Sequence, residues 1–66
     1  MRKELKLLRV ENDLTQAQMA KKLGIALSTY NLIENGKRGG NKELWIKLKN
    51  TFNVSDERMW KISIGE

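Results

Sequence analysis

Few side chains here are of a kind that does covalent chemistry. There is no histidine and no cysteine, which removes the common general bases, the thiol nucleophile, the usual zinc-finger ligand sets and disulfides. Eight Asp and Glu are spread along the chain, and Ser28, Ser55 and Ser63 have no base partner in view. No catalytic residue, metal ligand or cofactor is assigned, and an enzyme is not expected. What remains is charge. Thirteen Lys and Arg set against those eight acids give a net charge of +5 and a pI near 9.8. That balance suits a polyanionic partner, nucleic acid first and an anionic membrane surface second. A solvated lysine surface gives the same totals, so the placement of the polar groups has to decide.

The placement is set by residues 15 to 38, which read as two short helices joined by a tight turn. Thr15 precedes a helical run with Gln18 three positions on, the spacing of a capping box, and Leu14 and Met19 stand where a hydrophobic staple closes over it. Met19, Ala20 and Leu23 share one side of this helix. Gly24 follows, a residue that takes the left-handed conformation ending a helix without steric cost. Ile25 returns to the core and the next helix starts at Ala26 or Leu27. At about 100° per residue, Tyr30, Ile33 and Glu34 face one way and Ser28, Asn31, Leu32 and Asn35 the other. Gly36 closes this helix, and Lys37 and Arg38 follow it.

The string T-Q-A-Q-M-A-K-K-L-G-I-A-L-S-T-Y-N-L-I-E-N-G-K-R resembles the helix-turn-helix of the phage repressor and Cro family. Thr-Gln opens helix 2, Gly stands in the turn, and Ser-Thr in helix 3 precedes Ile-Glu and Gly-Lys. The resemblance covers residues 5 to about 59. It implies an all-α fold, a five-helix bundle of the lambda-repressor-like type, and a sequence-specific DNA-binding regulator, a repressor by preference. By the same resemblance Arg9 and Glu34 form a bidentate ion pair tying helix 1 to helix 3. The base-reading positions map onto Ala26, Leu27, Ser28, Asn31 and Leu32, with helix 3 in the major groove. Asn31 suits adenine, Ser28 several bases, and the three apolar residues suit thymine methyl groups. No Arg, Lys or Gln lies on that face, so an A·T-leaning site is expected. Thr15 and Gln16, at a helix N-terminus, suit a phosphate oxygen, and Lys37, Arg38, Asn41 and Lys42 would clamp the opposite backbone without reading sequence. The alternative is a protein-interaction module, such as an antitoxin or a regulator controlled by a protein partner, with Leu32 facing that partner.

The rest of the chain must carry this unit. Sixty-six residues make one domain, whose core is marginal at this size. No apolar run approaches the ~18 residues of a membrane span and no signal-peptide pattern exists, so the cytoplasm is expected. Residues 2 to 11 read as helix 1, with Leu5 and Leu8 inward, Arg2, Lys3, Glu4 and Lys6 outward, and Val10 exposed. Asn12-Asp13 is a turn where the family often has glycine, and Gly39-Gly40 is a soft loop where it often has proline. Asn41 caps helix 4, whose inward stripe is Leu44, Leu48 and Phe52 with Trp45 beside it. Lys49 stands where the family has alanine, so a looser contact is expected there. Asn53 ends helix 4, Val54 re-enters the core, Ser55 caps helix 5 and Met59 packs inward. Beyond the core of residues 5–59, residues 60–66 alternate: Trp60, Ile62 and Ile64 have the period of a short strand. These three are the expected contact of a two-fold homodimer. The other reading folds the tail back over its own core, with Trp60 covering helix 1 or helix 4 and the isoleucines capping the domain.

Overall fold

A computed structural model describes residues 1–65; Glu66, the last residue of the predicted tail, lies outside the described residues. Five helices follow one another: α1 (Lys3–Glu11), α2 (Gln16–Leu23), α3 (Leu27–Glu34), α4 (Lys42–Phe52) and α5 (Asp56–Ile64). Three of them, α2, α4 and α5, start on side-chain caps. The Thr15 hydroxyl accepts the Gln18 N–H at 3.1 Å while Gln18 Oε1 accepts the Thr15 N–H at 2.9 Å, the reciprocal box that satisfies donors left over at a helix start. Asn41 and Ser55 accept the N–H groups of Leu44 and Arg58 at the heads of α4 and α5. The ends are left-handed. Asp13, Gly24, Gly36 and Asn53 have φ of 55°, 70°, 77° and 52°. After each, the next residue donates back to a carboxyl-end carbonyl, Leu14 to Arg9, Ile25 to Ala20, Lys37 to Leu32 and Val54 to Lys49, the Schellman pattern.

The helices close over one core made of Leu5, Leu8, Met19, Ala20, Leu23, Tyr30, Ile33, Leu44, Leu48, Val54, Met59 and Ile62. Within it α2 lies against α3 and α4, α1 against α3 and α5, and α4 against α5. Arg58 on α5 grips the Glu11 carboxylate with two nitrogens at 2.8 and 3.0 Å and reaches Glu4 at 3.3 Å, tying α5 to α1. Lys49, where a looser contact was expected, pairs with Asp56 and spans the α4–α5 corner.

Two expectations are corrected here. The tail is helix, not strand: α5 runs to Ile64 and no strand occurs among the described residues. Met59 and Ile62 lie three apart on the inward side, and Ile62 is completely buried, whereas Trp60 is 63 % and Ile64 50 % exposed. Ile62 therefore belongs to the chain's own core and is withdrawn as a contact for a second subunit. The fold-back reading holds for Ile62, which closes the chain's own core, and not for Trp60, which stays exposed.

Arg2 is the other correction. It is buried rather than outward. Its backbone N–H donates to the Glu34 carbonyl at 2.8 Å, and its guanidinium donates to the carbonyls of Ile33, Ile62 and Ser63 at 3.1, 2.9 and 2.9 Å. Carbonyls at helix ends lack intrahelical donors and carry the negative end of the dipole. A guanidinium is weakly hydrated and tolerates burial when its fork of donors is met, and here it closes α3 and α5 at once.

Candidate nucleic-acid interface

The turn between α2 and α3 is held by Gly24 and Ile25, and it leaves the head of α3 uncovered. Ala26 caps that helix in extended conformation. Ala26 and Ser28 are exposed, as are Leu27 at 49 % and Leu32 at 39 %, while Asn31 is half-buried beside them. The five predicted base-reading residues thus run from the N-cap of α3 through its second turn, and Leu27 and Leu32 are among several large apolar side chains that this domain leaves exposed.

Behind this surface lies a polar network anchored on Glu34, which is 3 % exposed. Its carboxylate accepts from Arg9 Nε at 2.9 Å, from the Tyr30 hydroxyl at 3.0 Å and from Gln16 Nε2. Arg9 does not grip it with two nitrogens. Its Nη1 goes instead to the Leu14 carbonyl at 2.8 Å, so the guanidinium joins α1 to α3 and to the loop before α2. Burial pushes the Glu34 carboxyl up, but the hydrogen bonds from Arg9, Gln16 and Tyr30 outweigh it and hold the group below its ordinary value. Burial and the neighbouring Glu34 charge push the Tyr30 hydroxyl well up. Gln16 continues the network outward: its Oε1 accepts from Asn31 Nδ2 at 3.1 Å, and Asn31 Oδ1 accepts from Asn35 Nδ2 at 3.0 Å.

The predicted phosphate contacts lie at the head of α2 and in the segment from the end of α3 to the start of α4. At the head of α2, the Thr15 N–H and one hydroxyl lone pair are taken up by its own capping box, which leaves the hydroxyl proton able to donate. Beside that hydroxyl, the end offers an anion the pair of first-turn N–H groups on Gln16 and Ala17, which have no intrahelical acceptor. Past α3, Lys37 and Arg38 are exposed, and both backbone N–H groups donate to the Leu32 carbonyl at 2.9 and 3.2 Å. Asn41 and Lys42 are exposed at the start of α4, where the Asn41 oxygen is committed to the cap and only its NH2 is free. The loop between is less soft than two glycines suggest. Gly39 stands in open space, but a Cβ at Gly40 would collide with the Trp45 indole.

Nothing in the sequence assigned a role to Arg2 or Asn35. Arg2 bonds only to backbone carbonyls from distant elements, which leave no trace in residue type. Asn35 lay on the outward side of helix 3, and its spacing of four from Asn31 was the one available signal.

The helix-turn-helix family model matches residues 5–62. The chain belongs to the helix-turn-helix family, of the Cro/C1 type. An uncharacterized HTH-type transcriptional regulator of Methanocaldococcus jannaschii is 39 % identical to it over 57 residues, covering 86 % of this chain and 86 % of that protein. No solved structure matches it significantly. In this helix-turn-helix protein α2 and α3 are the defining pair, and no helix among the described residues is long and apolar enough to cross a membrane.

Proposed function

We propose that this helix-turn-helix protein represses transcription by binding a specific duplex site with α3 in the major groove. DNA-binding transcriptional regulation is the activity of the family to which it belongs. What supports the finer reading is the outward side of α3, where Ala26, Leu27, Ser28 and Leu32 are exposed and Asn31 is half-buried beside them, with polar groups suited to phosphates at the head of α2 and after α3. The apolar members favour thymine methyl groups and Asn31 favours adenine, so the site leans to A·T pairs. The α2 N–H groups and Gln16 on one side, with Lys37, Arg38, Asn41 and Lys42 on the other, hold the two strands and fix the register. Its compartment is the cytoplasm, with the DNA it binds. A second copy completes the reading, because one small domain buries too little surface and such proteins bind half-sites ~34 Å apart. Trp60 and Ile64 supply that contact, next to an open groove of about 490 Å³ lined by Trp45, Ile46 and Met59.

A gel-shift experiment on duplexes selected from a random pool tests this. Selection is expected to return one A·T-leaning motif. Replacing Lys37 with Gln should weaken binding to all duplexes alike and flatten the slope of log K against log salt by ~0.9. Asn31→Ala should instead cost ~1–3 kcal/mol at one base position. Uniform losses from both variants mean that α3 reads no bases, and a chain that enriches no duplex at all is an interaction module.

A further inference from the structure

Four polar side chains run from the buried Glu34 through Gln16 and Asn31 to the exposed Asn35 at the C-terminal end of α3, and the order of donors and acceptors along them is not free. Glu34 is held by Arg9 and Tyr30, and its other oxygen faces Gln16. An ionised carboxylate can only accept. Gln16 must therefore turn its NH2 toward Glu34 and its oxygen toward Asn31. Asn31 must meet that oxygen with its own NH2, at 3.1 Å, which sends its oxygen to the NH2 of Asn35, at 3.0 Å. One buried charge thus sets the direction of three amides, each of which could otherwise sit either way round.

The count at Asn31 gives this direction a use. An amide has two N–H donors and its oxygen two lone pairs. One donor goes to Gln16 and one lone pair to Asn35, so one donor and one acceptor remain, in fixed order, on a half-buried side chain at the surface of α3. Adenine presents the complement in the major groove, N7 to accept and the N6 amino group to donate. We infer that Glu34 and Gln16 are positioning residues for base recognition, locking the Asn31 amide in one orientation so that it selects adenine in the base pair it faces. The inference rests on the DNA reading above and deepens it. Ordering the amide before the encounter removes an entropic cost that a free surface asparagine carries into binding, and the buried Arg9–Glu34 pair gains a role in recognition beside its role in packing.

The test measures affinity ratios, which are indifferent to any uniform loss of affinity or folded protein. The full chain is titrated with its selected duplex and with duplexes carrying each of the other three base pairs at the position where Asn31→Ala flattens the preference. The unaltered protein should prefer adenine there by roughly 5- to 100-fold. Gln16→Met keeps the side-chain length and leaves Arg9 and Tyr30 on Glu34, but it cuts the line, and the adenine ratio should fall at least about threefold. Asn35→Asp is a second, surface variant that sets an acceptor against the Asn31 oxygen, and it should lower the ratio further than Asn35→Ala does. If Asn31→Ala flattens the preference while Gln16→Met and Asn35→Asp keep the full ratio, Asn31 reads without the line and the inference is overturned. A preferred base other than adenine overturns it as well. If Asn31→Ala changes no position, or the unaltered protein shows no base preference, the DNA reading itself fails and takes the inference with it.

Discussion

Arg2 lies over the indole of Trp45, its guanidinium carbon 5.2 Å from the ring centroid, while its nitrogens hold the carbonyls of Ile33, Ile62 and Ser63. One side chain therefore joins the ends of α3 and α5 to the flank of α4. Arg2→Leu should cost about 2–3 kcal/mol, because it removes three charge-assisted hydrogen bonds to carbonyls at the ends of α3 and α5. Arg2→Lys should recover only part of this, since an ammonium has no planar fork and stacks poorly. Urea unfolding midpoints measure both, and an unchanged midpoint for Arg2→Leu would show that the contacts are energetically idle.

Gly40 separates the two glycines of the α3–α4 loop. Gly40→Ala drives a methyl group into the Trp45 ring, and overpacking of this kind costs about 1–3 kcal/mol. Gly39→Ala meets nothing and should leave stability the same or slightly higher through the unfolded chain. Thermal melts of the pair settle it; equal shifts would mean that the indole yields freely.

Acid should act through Glu34. Its carboxyl lies below its ordinary value in the folded chain, so the unfolded chain binds the proton more tightly. The stabilisation is complete above the ordinary carboxylate value of about 4.3 and is lost as pH falls through the folded value. Glu34→Gln should be less stable at neutral pH and lose less stability on acidification. Arg9→Met alone should cost about 3–5 kcal/mol, more than Arg9→Met combined with Glu34→Leu, because only the single change leaves a buried charge unpaired. Denaturation curves at neutral and acid pH give both comparisons. Parallel curves for Glu34→Gln and the unaltered chain would remove Glu34 from the account.

The proposed dimer contact is best probed by point substitution. Cutting the chain after Trp60 would strip Ile62 from the core, so a shortened protein would report unfolding rather than assembly. Trp60→Lys and Ile64→Lys change only exposed positions and should alter stability by no more than ~0.5 kcal/mol. By sedimentation, each should turn a dimer into a monomer at the same concentration. An unaltered chain that already sediments as a monomer at micromolar concentration ends the proposal.

The helix-turn-helix was legible because its determinants are local. The Thr15–Gln18 box, the left-handed Gly24 and the outward side of α3 all follow from residues within one turn of each other. Asp13 and Asn53 were readable for the same reason, as residues that tolerate positive φ. The tail was misread because alternation over five residues is a short signal. The competing period, Met59 to Ile62 behind a Ser55 cap, was present and pointed to helix. Arg2 could not be read at all: a cation at the head of a helix looks solvated until the fold brings two helix ends to it. The polarity of Asn31 was hidden likewise, since it depends on a carboxylate that only tertiary packing places behind Gln16.

The proposed contact of Leu27 and Leu32 with DNA carries a calorimetric signature. Covering Leu27 and Leu32 against thymine methyl groups takes apolar surface out of water, and that burial lowers the heat capacity of the complex. Enthalpy of binding to the specific duplex should therefore slope downward with temperature. Contacts made only to phosphates carry no such burial, and their enthalpy should stay nearly flat over the same range.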